Sequence, residues 1–257
     1  MLTDEQLRGI MRALPAARRA AFLPFVQAAI VEFAIDLPAR AAAFLAQLAH
    51  ESGQLRFMEE IWGPTDAQRR YEPPGPLATT LGNTEAGDGK RFKGRGPIQI
   101  TGRDNYRRYG DLLGVDLVAT PTQASKPELA FRIAGLFWSR NGLNELSDEV
   151  TADAFRTITR RINGGLNGLA DRERFYAVAR TVLGVTAAHV MRAGTRGRTV
   201  PVAPPEATFV RGHEAIRASR RRKRARKARR TPRSPPAVAQ TRARTNTPIT
   251  RRRRTGR

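Results

Sequence analysis

Cysteine is absent from this 257-residue chain, which excludes disulfides, thiolate metal sites and cysteine nucleophiles. Histidine is nearly as scarce. His50, His189 and His213 are not spaced as metal ligands, so neither a metal nor a cofactor is expected. No apolar run approaches the roughly 20 residues that a membrane-spanning helix needs. The opening MLTDEQLRGI is polar and acidic, with no basic stretch leading into an apolar one, so no cleaved leader is expected. A protein made in the cytoplasm with a target outside it would then reach that target after release or by another export route. From Arg217 to Arg257 there is no acidic and no aromatic residue, while 18 are basic. Such a stretch has nothing with which to build a core.

The net charge of +23 is unevenly placed. Residues 1–189 carry 24 basic and 21 acidic side chains, and residues 190–257 carry 22 and 2. The sequence therefore divides into a nearly balanced domain at 1–189, a Pro/Gly linker at 190–216 and a disordered arginine-rich tail at 217–257. A run of this kind binds phosphates without base selectivity and loses affinity with salt. It equally suits an anionic envelope of lipid or polymer. Nucleic acid or the cell envelope are thus its candidate partners, and a protein acting through that tail alone is a separate reading of the whole chain.

Residues 1–189 read as mainly α-helical. Thr3 is a cap for a short helix over 3–13, with Glu5 and Gln6 in its first turn. Pro15 and Pro24 bracket the next stretch, and residues 24–36 follow a helical period. Pro38 opens an alanine- and leucine-rich helix to Glu51, where a missing N–H costs nothing. It should end near Ser52 and Gly53. Residues 62–97 instead repeat proline and glycine, which predicts a long structured loop sector with a few short strands, the usual form of a functional wall. Helices resume in NYRRYGDLLG, KPELAFRIAGLFWSRNG, TADAFRTITRRING and DRERFYAVARTVLG, the last with Asp171 as its cap.

Carboxylates are the natural starting point for chemistry. Cleaving a glycosidic bond takes a protonated acid on the leaving oxygen and a second carboxylate to activate water or attack the sugar. Glu51 closes an apolar helix, where partial burial favours the protonated form. Glu60 lies nine residues on across a glycine-containing turn, and Glu59 and Glu72 compete with it for the second role. His50 points about 100° away from Glu51 around the helix and fits a hydrogen-bonded structural role. Trp62, Tyr71 and Trp138 have faces suited to stacking on sugars. Trp138 sits in an apolar helix and reads as core, which leaves Trp62 as the better cleft residue.

Three segments carry a resemblance. AAAFLAQLAHESGQLRFMEEIWGPTDAQRRYE, LGNTEAGDGKRFKGRGPIQITGRDNY and ITRRINGGLNGLADRERFY resemble, in order and spacing, glycoside hydrolase family 19, over roughly residues 40–184. That family includes plant-type chitinases and phage and bacterial endolysins, and the likeness is nearest to its compact bacterial and phage branch. It implies a lysozyme-like, two-lobed helical domain, with the glycine-rich loop sector lining a cleft. It also implies an inverting mechanism, with Glu51 as general acid and its partner at the compact members' nine-residue interval, on Glu60. Longer members have a wider interval, which keeps Glu72 as an alternative. The two carboxyls of an inverting pair stand roughly 6.5–9.5 Å apart.

The resemblance further implies that Gln99, Thr101 and Asn105 bind N-acetyl groups or hold the water, and that Asn163 binds substrate near the cleft floor. Arg172 takes the place of the arginine that supports the second carboxylate. Gly94 and Gly96 would let the backbone approach the sugar, and Arg95 between them binds substrate or braces the loop. Asp104 departs from the plant pattern, which has a substrate-contacting tyrosine there. The implied substrate is a β-1,4-linked N-acetylated glycan cut by a monomeric enzyme. Peptidoglycan is favoured over chitin, because the domain is compact, lacks disulfides and carries no cysteine-rich chitin-binding module.

Overall fold

The computed structural model describes residues 1–186, and within them the chain is helical, with no named strand. The linker expected over 190–216 and the tail expected over 217–257 lie outside the described residues, as do the last residues of the 1–189 domain. The helices are α1 (Asp4–Ile10), α2 (Ala16–Glu32), α3 (Pro38–Glu51), α4 (Asp66–Arg69), α5 (Pro76–Thr80), α6 (Asp88–Arg91), α7 (Arg103–Leu113), α8 (Pro127–Arg140), α9 (Leu143–Asp148), α10 (Ala152–Asn163) and α11 (Leu169–Val182), with a 3-10 turn at Pro121–Ser125. None is long and apolar enough to cross a membrane.

Local chemistry explains most of these ends. Thr3 and Gln6 form a reciprocal capping box at α1, and Thr151 caps α10 by accepting from the Ala154 amide. Pro38 sits in the first turn of α3, whose end at Ser52 passes into Gly53 at φ 61°. Two expectations change. Pro24 does not bound a helix but lies inside α2, where it forfeits one backbone hydrogen bond at a cost of about 3 kcal/mol. Burial of Phe22, Val26, Ala29 and Ile30 on the same helix offsets that cost, and Phe22 meets Phe131 of α8 edge-on at 5.6 Å. Asp171 is not the cap of α11 either. Gly168 takes that position in a left-handed conformation, and Asp171 lies in the first turn with its carboxylate turned toward α3.

α3 is the central helix. Phe44, Leu45, Ala46, Gln47, Leu48 and Ala49 are all buried in sequence, so it is wrapped on every side rather than packed on one face. Each large apolar side chain there contributes about 1.5–3 kcal/mol, and the alanines let α11 and α9 come close. Polar groups on such a helix have no water to turn to, which gives Gln47 and Glu51 their importance.

The sector after α3 holds three short helices, α4 to α6, in place of the short strands expected. Its only pairing is through isolated bridges, Glu59 with Arg95 and Arg95 with Ile100. Its rigidity comes from side chains. Asp88 is 2% exposed and takes Arg103 of α7 in a forked contact at 2.7 and 2.8 Å. Helical lobe and loop sector together make the lysozyme-like arrangement that the sequence predicts.

Candidate active site

Glu51 occupies the last turn of α3 and is 4% exposed. Gln47 stands one turn earlier on the same face. Arg172 of α11, with no exposed surface, reaches both: it forms an ion pair with Glu51 Oε1 and donates to Gln47 Oε1. Gln47 in turn donates to Thr159 Oγ1 of α10 at 3.0 Å. Three helices therefore fix one carboxylate. The expectation for Arg172 is corrected here, because it pairs with Glu51 and not with the second carboxylate. The reason lies in the packing: α11 lies against α3, while Glu60 belongs to the loop sector.

Glu60 is held in another way and is 2% exposed. Its Oε1 accepts from the Gln68 amide at 2.9 Å, and its Oε2 from the Gly94 N–H at 3.0 Å. Its own N–H donates to the Gly94 carbonyl at 2.8 Å, so residue and glycine clasp each other through both main chain and side chain. Glu51 thus meets a cation, and the groups that grip Glu60 include the Gln68 amide and the Gly94 N–H. Two carboxylates nine residues apart sit in chemically distinct surroundings.

The rivals have other employment. Glu59 pairs with Lys93 at 3.1 Å and Arg95 at 3.0 Å. Glu72 accepts from the backbone amides of Gly87 at 2.8 Å and Lys90 at 3.1 Å, closing the loop around α6. Arg95 spends its donors on Glu59, the Arg91 carbonyl and the Tyr106 hydroxyl, which makes it a brace of that loop. Burial raises the ionisation of that Tyr106 hydroxyl well above the usual phenol value, with Arg95 opposing the shift.

Gln99 adopts φ 59°, is fully buried, and donates to the Gly96 carbonyl at 2.7 Å. Its Oε1 is buried with no partner among the described residues. A Cβ at Gly94 would come within 2.8 Å of that oxygen and 3.4 Å of Glu60 Oε2, so Gly94 is small because two side chains converge on it. The close approach expected at Gly96 is likewise to protein: its Cβ would meet the Ala124 carbonyl at 3.3 Å. Thr101 donates to the Gln99 carbonyl at 3.0 Å, and Asn105 to the Thr101 carbonyl at 2.8 Å, a chain running from Glu60's neighbour into α7. Asn163 ends α10, with its amide 3.4 Å from the Asn167 carbonyl, which also receives Arg172 Nε at 3.4 Å.

Tyr71 is buried with Leu77 and Leu81 and has no face for a sugar, whereas Trp62 above it, 6.3 Å between rings, is partly exposed. Trp138 is core, edge-on to Phe44 and bonded to Asn144. A cavity of about 290 Å³ between Leu2, Val31, Pro38 and Leu183 includes neither carboxylate. It lies at the opposite end of α3 from Glu51, roughly 20 Å away at 1.5 Å per residue. Among the described residues no three His, Cys, Asp or Glu gather as a metal site.

His50 Nδ1 lies 2.7 Å from Asp171 Oδ2. Burial, and then the Arg172 charge, lower its pKa from 6.5 to about 4, so at neutral pH the ring is uncharged and Nδ1–H donates to the carboxylate. Asp171 stays below the usual carboxylate range: burial opposes this, but hydrogen bonds from Arg174 and His50 prevail. The sign for stability follows. Between pH 6.5 and about 4 the unfolded chain binds the His50 proton and the folded one does not. This contribution is full above about pH 6.5 and is lost as pH falls to about 4, by on the order of 3 kcal/mol. Urea unfolding across that range should show the slope, and His50→Asn, which keeps a donor but does not titrate, should remove it.

Gln47 and Gln68 are the site residues that sequence reading misses. Gln47 could have been found from its position four residues before Glu51 on a buried helix. Gln68 shows itself as the end of a T-x-x-Q capping pattern, but nothing in the pattern tells where its second amide atom points.

Residues 36–189 match the family described as chitinase class I, glycoside hydrolase family 19. A Haemophilus influenzae protein named as a glycosyl hydrolase family 19 domain-containing protein is 37% identical over 159 residues, 52% of this chain and 76% of its own. An endochitinase of Arabidopsis thaliana is 42% identical over 125 residues, and there the chain spans only 39% of the plant protein's length. Chitinase C from Streptomyces griseus HUT6037 superposes with a TM-score of 0.56 over 72% of this chain and 93% of that one, at 24% identity, a likeness of fold. The chain belongs to glycoside hydrolase family 19.

Proposed function

We propose that the domain hydrolyses β-1,4 bonds of a chitin-type N-acetylated glycan with inversion, Glu51 protonating the leaving oxygen and Glu60 activating water. The observation that carries this reading is the pair of buried carboxylates nine residues apart, each fixed in place, Glu51 by Arg172 and Glu60 by the Gln68 amide and the Gly94 N–H among others. Inversion needs two such groups with different duties. The orphan Gln99 Oε1 beside Glu60 is an acceptor awaiting an N–H or water proton, as an acetamido group or the attacking water supplies. Trp62 offers its partly exposed face to a pyranose ring.

The sequence alone favours peptidoglycan. Relatives named endochitinase and chitinase, from Arabidopsis thaliana and Streptomyces griseus among others, move the reading to chitin, and no relative named here adds weight to a muramidase. Placement in a compact bacterial or phage branch rests on the nine-residue interval and the missing cysteines. The test is the first product of N-acetylglucosamine hexamer cleavage, read by proton NMR within seconds of mixing. The α-anomer is the expected product. The β-anomer would exclude inversion, and an untouched hexamer alongside release of muropeptides would return the substrate to peptidoglycan.

For residues 217–257 we propose attraction to an anionic polymer or envelope, on the strength of 18 basic and no acidic residues. Deleting residues 190–257 should leave hexamer cleavage unchanged while lowering binding to anionic vesicles at low salt. Equal vesicle binding by both forms would remove that role.

A further inference from the structure

We propose that Gln68 is a positioning residue for Glu60, its amide joining the cap of α4 to the orientation of the catalytic base. The inference rests on the assignment of Glu60 as that base. Gln68 is completely buried, and each end of its amide has a separate task. The oxygen accepts from the N–H groups of Thr65 at 2.8 Å and Gly63 at 3.3 Å, the reciprocal half of a capping box in which Gln68 N–H donates to Thr65 Oγ1 at 3.2 Å. The nitrogen donates to Glu60 Oε1 at 2.9 Å and to the Ile61 carbonyl at 3.0 Å.

The cap fixes which way the amide faces. Two backbone N–H groups demand an acceptor at one end, so the NH2 must face the carboxylate. A capping box alone is served equally by Glu or Gln at this position. The contacts with Glu60 and the Ile61 carbonyl are what require the amide, and a glutamate would set two carboxylates 2.9 Å apart in a buried site. The Gly94 N–H donates to the other oxygen at 3.0 Å, so the two contacts grip opposite ends of the carboxylate.

Gln68→Glu separates the two tasks. It keeps the cap acceptor and the side-chain length, and it replaces a donor to Glu60 with a like charge. The new carboxyl pair shares one proton through the lower pH range, and Glu60 is dependably ionised only above the raised second step. The acid limb of kcat/KM on N-acetylglucosamine hexamer should therefore move up by about one pH unit or more. At the acid edge kcat should fall about tenfold with KM little changed. Thr65→Ala is the control, since it breaks the cap from the other side without touching Glu60. It should lower the thermal midpoint while leaving the pH profile in place.

A purely structural Gln68 would give the reverse, a profile unmoved in Gln68→Glu, and that result overturns the proposal. Equal loss of kcat in both variants, with no shift of either limb, overturns it as well. Glu60→Gln, run in parallel, tests the underlying assignment. If that variant keeps full turnover the base lies elsewhere, whatever Gln68 does. If it is inactive and Gln68→Glu has the native profile, the positioning role alone is wrong.

Discussion

Glu51→Gln is expected to lower turnover of N-acetylglucosamine oligomers by at least about a hundredfold, because a positioned general acid contributes 10²–10⁴. The glutamine carbonyl can still accept from Arg172, so the ion pair becomes a hydrogen bond to an uncharged group. It has no proton to deliver to the leaving oxygen. Some stability is lost too, since a fully buried guanidinium then has no anion. Rates must therefore be divided by the folded fraction measured at the same temperature. Glu60→Gln should be comparably severe by loss of the base, and its new NH2 must face either the Gln68 NH2 or the Gly94 N–H, donor against donor. Glu72→Gln should keep near-native turnover, because that carboxylate serves two backbone amides of its own loop. An active Glu60→Gln beside an inactive Glu72→Gln would transfer the base to Glu72.

What the sequence discloses follows the range over which each force acts. Caps are local, so Thr3, Thr151 and Pro38 are legible from neighbours a few residues away. Glu51 is legible as the end of an alanine-rich helix and as part of a long motif. Its partner among the cations is not legible. Arg172 lies 121 residues from Glu51, and its choice of carboxylate is settled by how α11 lies on α3. Pro24 misleads because local propensity marks a boundary, where the tertiary contacts of Phe22 and Val26 carry the helix through. Gly94 and Gly96 are readable as places without room for a side chain. What occupies that room is a matter of packing: Gln99 and Glu60 in one case and Ala124 in the other. The paired carboxylates are thus readable as residues, while the groups that hold each of them are readable only in space.

The largest stability effect is expected at Arg172. Arg172→Met keeps much of the volume and deletes the charge, leaving Glu51 at 4% exposure without its cation and Gln47 Oε1 without its donor. Breaking a buried ion pair from one side costs about 3–5 kcal/mol, which for a domain of this size lowers the thermal midpoint by about 6–20 °C. Arg172→Lys should fall between Met and the native residue. A single ammonium cannot span Glu51, Gln47 and the Asn167 carbonyl as the guanidinium fork does. The decisive variant is the double one, Glu51→Gln with Arg172→Met. It has no uncompensated charge at the junction of α3 and α11, so it should be more stable than the sum of the two single losses by about 0.5–3 kcal/mol. Additivity within about 0.5 kcal/mol, read by urea unfolding, would mean that the two groups do not act as a pair. If the coupling is present, then the contact that holds the proposed acid Glu51 in place is the same one that fastens the final helix to the core. A substitution there loses fold and activity together, and only the double variant can tell which loss belongs to which.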